Sequence, residues 1–527
     1  MIRQGCRAVL YGISAWAATA CAHAHGPLAS PDVTPVSAAI ITPEDQHAVL
    51  RAAIDSQVND PRFRNAIWGV VVVDPARHDT LYVLNEHRLF LPASNMKIVT
   101  GAVALAQLGP DFRFRTVFAA RGVVREGVLH GDLIVIGRGD PTVSDHMMQD
   151  ATLPLRAAAE SLAARGIRRI TGQIVSAGDA FPDANWGVGW EWDDLIEPYA
   201  AGVDELMFNE GMTTVVVRGA ARPGLPARVI TTPLSDYPRV RAHVTTSEAT
   251  GGAIPQPLTA TYDASSGDLV VSGAIAPADS TTLIVSYRDP ASAYLHGLAA
   301  ALGARGIRLR HDAILGEPAG SSTPDLTPRA AGPAATSRFD TLFALQSPPL
   351  REILPALEKP SQNQIAEVLL KTLGLEKTGV GSADSGRRVI ESQLAAWGAD
   401  PDGYVIRDGS GLSRHDYLSP ATLVRVLTAI ERDTAYAAFY NALPVAGVDG
   451  TLGDRMRGTP AAGNARAKTG YVDRARSLSG YVSTADGVGL VFSLLCNNWT
   501  VPVHEVERAQ DDIVIRLAAI SLGGGAR

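Results

Sequence analysis

A serine and a lysine stand three residues apart in Leu91-Pro92-Ala93-Ser94-Asn95-Met96-Lys97. On a helix, positions i and i+3 are surface neighbours, so the Lys97 amine can reach the Ser94 hydroxyl without help from the rest of the fold. A serine hydroxyl is a weak nucleophile until a base takes its proton. Lysine can be that base where burial or a nearby cation lowers its pKa. Taken alone, the spacing is also that of a capped helix start, the commoner meaning of Ser-x-x-Lys.

Two more groups follow in chain order, Ser361-Gln362-Asn363 and Lys468-Thr469-Gly470. The first lies between Pro360 and the apolar-periodic run 365–373, where a serine is expected to cap or open a helix. The second precedes strand-like residues. Each is weak by itself, but Ser-x-x-Lys, Ser-x-Asn and Lys-Thr-Gly in this order form a specific set, known from penicillin-binding proteins and class A β-lactamases.

Positioning these groups requires a buried helix and a sheet. From Ser94 the helix continues through Ile98, Val99, Ala102, Val103, Leu105, Ala106 and Leu108, and Gly109-Pro110 ends it. That continuous apolar surface suits a central helix. Ahead of it, 41–58 reads as a helix, 67–74 is a β-branched run, and 81–84 pairs back on that run as a hairpin. Downstream, helices are expected at 387–397, 420–431 and 503–520, a glycine-rich turn at 408–414, and strands at 466–470, 476–483 and 488–496. Two strands before the serine helix and three at the far end predict one antiparallel sheet built from both ends of the chain, with helices on both faces. The fold class is α/β (α+β).

The middle of the chain reads as an insertion at 120–337, splitting the catalytic domain into 32–119 and 338–527. Strand-like runs occur at 113–119 and 133–136. Leu155–Val175 recurs in outline at Leu295–Leu315, each an alanine-rich helix, a glycine stop and a strand. Such internal duplication suggests two nested parts, about 120–185 with 272–337, and 186–271. Residues 317–337 have the Pro/Ala/Gly/Ser composition of a linker. Trp186, Trp190 and Trp192 sit in a Gly/Asp-rich loop; such a cluster can bind sugar, but anchoring onto a core is the expectation. Arg138-Gly139-Asp140 is expected to be a turn and not an adhesion motif.

A chain of 527 residues exceeds one ordinary domain. Its net charge of −7 and lack of a dense Lys/Arg run disfavour nucleic acid and anionic membrane surfaces as partners. Residues 1–24 carry Arg3 and Arg7, an apolar stretch from Ala8 to Ala20, and Ala22-His23-Ala24, which together read as a cleaved signal peptide. Ala20-Cys21 could instead be a lipoprotein site, although Ala18 stands where a large aliphatic residue is usual. No later segment approaches the roughly 20 apolar residues of a membrane span. Cleavage would remove Cys6 and Cys21, leaving Cys496 as an expected buried hydrophobe and no intrachain disulfide. The histidines are scattered, with no His-Glu-x-x-His, so neither metal nor cofactor is implied.

With these motifs in hand, the chain resembles the low-molecular-mass penicillin-binding proteins of the D-alanyl-D-alanine carboxypeptidase/endopeptidase type. The likeness extends to Asp408-Gly409-Ser410-Gly411-Leu412-Ser413-Arg414, Ala446-Gly447-Val448-Asp449-Gly450-Thr451-Leu452 and 463–470. The long separation of Ser94 from Ser361 is also like this family, whose members carry extra domains there. The resemblance implies a penicillin-binding/β-lactamase-like transpeptidase fold, a periplasmic location, peptidoglycan stem peptides as substrates and β-lactams as acylating inhibitors. It implies Ser94 as nucleophile, Lys97 as base, Ser361 as proton relay and Asn363 holding Lys97 or the substrate amide. Lys468 and Thr469 would hold the substrate carboxylate, Gly470 would admit its backbone, and the N–H groups of Ser94 and Tyr471 would form an oxyanion hole. Tyr471 stands where serine or threonine is expected. A serine β-lactamase is a rival reading, but no Glu-x-x-Leu-Asn is present and the insertion is foreign to it. A non-catalytic wall-binding scaffold is a second, opposed by the intact motifs.

Overall fold

The computed structural model describes residues 43–523, apart from 178, 234, 249–255, 311–313 and 316–338. The expected signal peptide, its Cys21 alternative and the expected linker at 317–337 lie outside the described residues.

One five-stranded antiparallel sheet carries the third motif. Its order is Arg466–Val472, Ala475–Ser483, Gly489–Asn497, Ile67–Asp74 and Asp79–Leu84, so strands from the two chain ends meet where Ile67 faces Asn497. Period-two alternation decides the two faces. Val70, Val72, Leu490, Phe492, Leu494 and Cys496 pack against helices Pro43–Val58 and Val503–Ala519. Val71, Val491 and Leu495 point the other way, into a core with the serine helix, Met96–Leu108. Burying each such side chain stabilises the fold by about 1.5–3 kcal/mol. The expected sheet and its helices on both faces are therefore present, and Cys496 is fully buried, with burial pushing its thiol pKa up.

The serine helix is buried almost all round, from Met96 to Leu105. Against it lie helix Leu350–Glu358 and the second-motif helix, Asn363–Thr378. Ser361 does not cap the latter. It sits in the preceding turn at φ 66°, and the Gln362 side chain is the cap, accepting from the N–H groups of Gln364 and Ile365. Glutamine is an uncommon cap, so residue preference pointed to the wrong position.

Strands of the middle region lie outside the motif sheet, but the expected limits need correction. A second sheet runs Ile314–Leu315, Ile174–Ser176, Val128–Ile136, Arg115–Arg125 and Asp340–Gln346. The limits at 119 and 338 fall inside or short of its strands, and sheet membership moves them to 115 and 346. The reason is local: 115–125 and 128–136 form a hairpin whose turn, Glu126–Gly127, has both φ angles positive, and charged and glycine positions hid its second half. Two three-stranded sheets hold strands between Met212 and Ser286, so the inner limit at 271 cuts the strand Leu269–Ile275.

The duplicated units are visible as neighbours. Helices Leu153–Ala164 and Pro290–Ala304 belong to one core, and their strands pair in parallel with Ile174 beside Ile314. Each helix is followed by a left-handed glycine, Gly166 or Gly306, and a buried isoleucine, Ile167 or Ile307. Arg138-Gly139-Asp140 is an irregular segment leading into the turn at Pro141-Thr142, with buried Asp140 accepting from the Thr142 N–H at 3.0 Å. Among the described residues, no helix is long and apolar enough to cross a membrane.

Candidate active site

Ser94 lies in the short turn Ala93–Asn95 that opens the serine helix. Ala93 is held at φ 46°, a strained value for a residue with a Cβ and of the kind that collects at reactive sites. Asn95 fastens this turn to the motif sheet by donating to the Lys468 carbonyl at 2.8 Å.

Lys97 is fully buried, and its three donors are all engaged: Ser94 Oγ at 2.9 Å, Asn363 Oδ1 at 2.6 Å and the Ser410 carbonyl at 2.7 Å. Burial pushes its pKa down to about 8, against the opposing pull of Asp408, Glu358, Glu367 and Asp416. The first two motifs thus converge on one nitrogen.

Asn363 opens the second-motif helix, and its amide is divided between two tasks. Its oxygen takes the Lys97 amine while its nitrogen donates to the Tyr199 carbonyl at 2.7 Å. One turn on, Glu367 accepts from the N–H groups of Gly409 and Ser410, fixing the loop whose carbonyl holds Lys97. Ser361 is near in sequence but unjoined: its hydroxyl has no hydrogen-bond partner among the described residues.

The strand Arg466–Val472 is the outer edge of the sheet. The Ala467 N–H donates outward to the Pro444 carbonyl. Alternation places the N–H groups of Thr469 and Tyr471 on that same edge. Lys468 is fully buried, and burial together with the Lys97 charge lowers its pKa to about 7. Its Nζ donates to the Thr469 carbonyl at 3.1 Å, and the Thr469 hydroxyl donates to Thr451 at 2.7 Å. Tyr471 is half exposed, with the Arg476 guanidinium over its ring.

Gly470 is where strand and serine turn touch. A Cβ there would lie 2.1 Å from Ser477 Oγ and 2.9 Å from the Ser94 nitrogen. Gly470→Ala should therefore shift the Ser94 N–H. We expect acylation by a penicillin to slow on the order of 100-fold, the scale of a lost oxyanion donor. Native labelling rates in that variant would contradict the placement.

Two residues beside the site lie outside the three motifs, Asp408 and Trp190. Asp408 is fully buried and accepts from the N–H groups of Gly411 and Ser413, each at 2.7 Å. It also accepts from Trp190 Nε1 at 2.8 Å, so one tryptophan of the cluster anchors the loop beside the site while Trp192 is exposed. The Asp408–Arg414 string was visible as a family segment; its link to Trp190 crosses 218 positions and could not be read from spacing.

Comparison with known proteins finds relatives along most of the chain. The chain is 34% identical over 504 residues, 93% of its length and 87% of the relative's, to a D-alanyl-D-alanine carboxypeptidase of Actinomadura sp. (strain R39). It is 25% identical over 427 residues, 79% of this chain and 82% of the other, to the D-alanyl-D-alanine carboxypeptidase DacB of Haemophilus influenzae. The crystal structure of penicillin-binding protein 4 from Haemophilus influenzae has the same fold, with a TM-score of 0.74 at 22% identity over 88% of this chain and 99% of that one. The profile of the D-Ala-D-Ala carboxypeptidase 3 (S13) family matches residues 50–520, and the chain belongs to that family.

Proposed function

We propose that the chain is a serine D,D-peptidase of peptidoglycan stem peptides that works through an acyl-serine and is acylated by β-lactams. The observation that carries this reading is Lys97 Nζ, out of solvent, 2.9 Å from Ser94 Oγ and 2.6 Å from Asn363 Oδ1. In the neutral amine, two N–H groups still satisfy Asn363 and the Ser410 carbonyl, and the lone pair faces the Ser94 hydroxyl. Lys97 takes that proton as Ser94 attacks the carbonyl carbon of the penultimate D-Ala. The N–H groups of Ser94 and Tyr471 receive the oxyanion. Ser361, whose hydroxyl is uncommitted, relays the proton to the leaving amine. Water then releases the acyl group by the same base.

Lys468 and Thr469 hold the substrate's terminal carboxylate. That carboxylate also resolves which lysine keeps a proton: a negative charge beside Lys468 favours its ammonium, and like-charge repulsion leaves Lys97 neutral. Substrate binding therefore prepares the base.

The same attack serves two leaving groups, free D-Ala in a carboxypeptidase and the D-centre of a neighbouring diaminopimelate in an endopeptidase. Endopeptidase activity is part of the proposal, together with export to the periplasm behind a cleaved signal peptide and separate folding of the inserted region. The solved Haemophilus influenzae relative has been crystallised with a β-lactam, which supports β-lactam acylation here. Digestion of purified cross-linked muropeptides tests the pair of activities: loss of D-Ala from monomeric pentapeptide and cleavage of dimers are both expected. Intact dimers beside trimmed monomers would remove the endopeptidase half, and Tyr471→Ala would then ask whether that exposed ring obstructs the larger leaving group.

A further inference from the structure

One buried ionisable group has no part in the chemistry above. Glu358 ends the helix Leu350–Glu358 and is fully buried, and neither of its carboxyl oxygens has a hydrogen-bond partner among the described residues. A carboxyl left so is costly to bury, and the cost is largest when it is ionised. Its position is specific. Glu358 Oε1 lies 2.8 Å from where a Cβ on Gly101 would stand, with Leu354 and Leu357 as the other neighbours there. Gly101 is four residues after Lys97, on the same face of the serine helix. The carboxyl therefore sits one helical turn below the amine that meets Ser94, in space that only a glycine leaves open.

We propose that Glu358 is a positioning residue that governs the charge of the Lys97–Lys468 pair, stabilising the ammonium that Lys97 becomes when it takes the Ser94 proton. This rests on the peptidase reading. The charges acting on Glu358 are Lys468 from the edge strand and Lys97 from the serine helix. Lys97 in turn faces Asp408 from the glycine-rich turn, Asp416 just after it and Glu367 from the second-motif helix, and Lys468 faces Arg476. Burial raises the Glu358 pKa to about 7, into the range where the two lysines titrate. No proton passes through Glu358. The proton leaves Ser94 Oγ for Lys97 Nζ as the Oγ–C bond forms and the carbonyl pair moves to oxygen. It departs to the leaving amine as the C–N bond breaks. In the interval the pocket would hold two ammonium groups, and the Glu358 carboxylate offsets one of them.

The test is the pH profile of second-order acylation by benzylpenicillin in the native chain, Glu358→Gln and Glu358→Asp. A carboxylate raises a neighbouring lysine's pKa, so its removal should move the acid limb of the profile to lower pH by about one unit. The plateau rate should fall about tenfold, the equivalent of that shift. Glu358→Asp, which keeps the charge, should retain the native limb. A Glu358→Gln profile that superimposes on the native one, or that falls uniformly at every pH, overturns the proposal. If Glu358→Gln does not fold, Gly101→Ala supplies the reading, since its Cβ would displace the carboxyl. The same acid-ward shift is expected, and an unmoved limb overturns the proposal. Failure of the native chain to be acylated at all would instead overturn the peptidase reading.

Discussion

Ser94→Ala should abolish covalent labelling by penicillin and all release of D-Ala, with the fold intact. Among the described residues, Ser361 Oγ has no base within hydrogen-bond reach, whereas Ser94 Oγ lies 2.9 Å from Lys97 Nζ. Removing one hydroxyl from a half-buried turn leaves the helix caps and the apolar face of the serine helix untouched, so thermal unfolding should move little. The loss of rate should reach at least about 10³-fold, limited by background hydrolysis. Mass spectrometry of the protein after incubation with benzylpenicillin reads the outcome directly. A stoichiometric adduct on the Ser94→Ala chain would place the nucleophile elsewhere.

The second large effect belongs to Lys97. Lys97→Met keeps the length of the side chain and removes the proposed base, and acylation should fall by about 10²–10⁴-fold, the span of a lost general base. The pH dependence separates a base from a mere contact. In the native chain, acylation should rise with pH through about 8, where Lys97 gives up its proton. In Lys97→Met that rise should disappear. Under the proposed mechanism, in which Lys468 holds the substrate carboxylate, Lys468→Ala should act mainly on apparent affinity for carboxylate-bearing substrates. Equal and mild losses from the two lysine variants would contradict this division.

The same shift has a stability consequence. Lys97 holds its proton less tightly folded than unfolded, about 8 against an ordinary 10.5. Between those values the unfolded chain binds more protons, so this residue's contribution to stability rises with pH across that window and is lost as pH falls through about 8. Urea unfolding of the native chain and Lys97→Met should therefore diverge least at high pH.

Much of this was legible in the residues themselves. The Ser94–Lys97 pair, the proposed nucleophile and base, is local, because i, i+3 adjacency on a helix needs no tertiary information, and the burial of that helix followed from its unbroken apolar run. The motif sheet was legible because β-branched runs lie on both sides of the serine helix and the inserted region, where a split sheet needs them. The duplication was legible because helix, glycine stop and strand recur with the same spacing.

What the sequence did not determine lies in contacts between distant segments. Asn363 binds Lys97 across 266 positions and the Tyr199 carbonyl across 164, and no periodicity reports such a pairing. Sheet membership of 115–125 and 340–346 depended on which edge was free, and local propensity does not encode that. Glu358 lies in no motif of the sequence, and glutamate is a residue type almost always exposed. Only the packing of its helix against Gly101 takes it out of water and sets it beneath two lysines. The sequence by itself determined which groups could react. The tertiary structure decided their protonation, since desolvation and neighbouring charge arise only when remote segments enclose them.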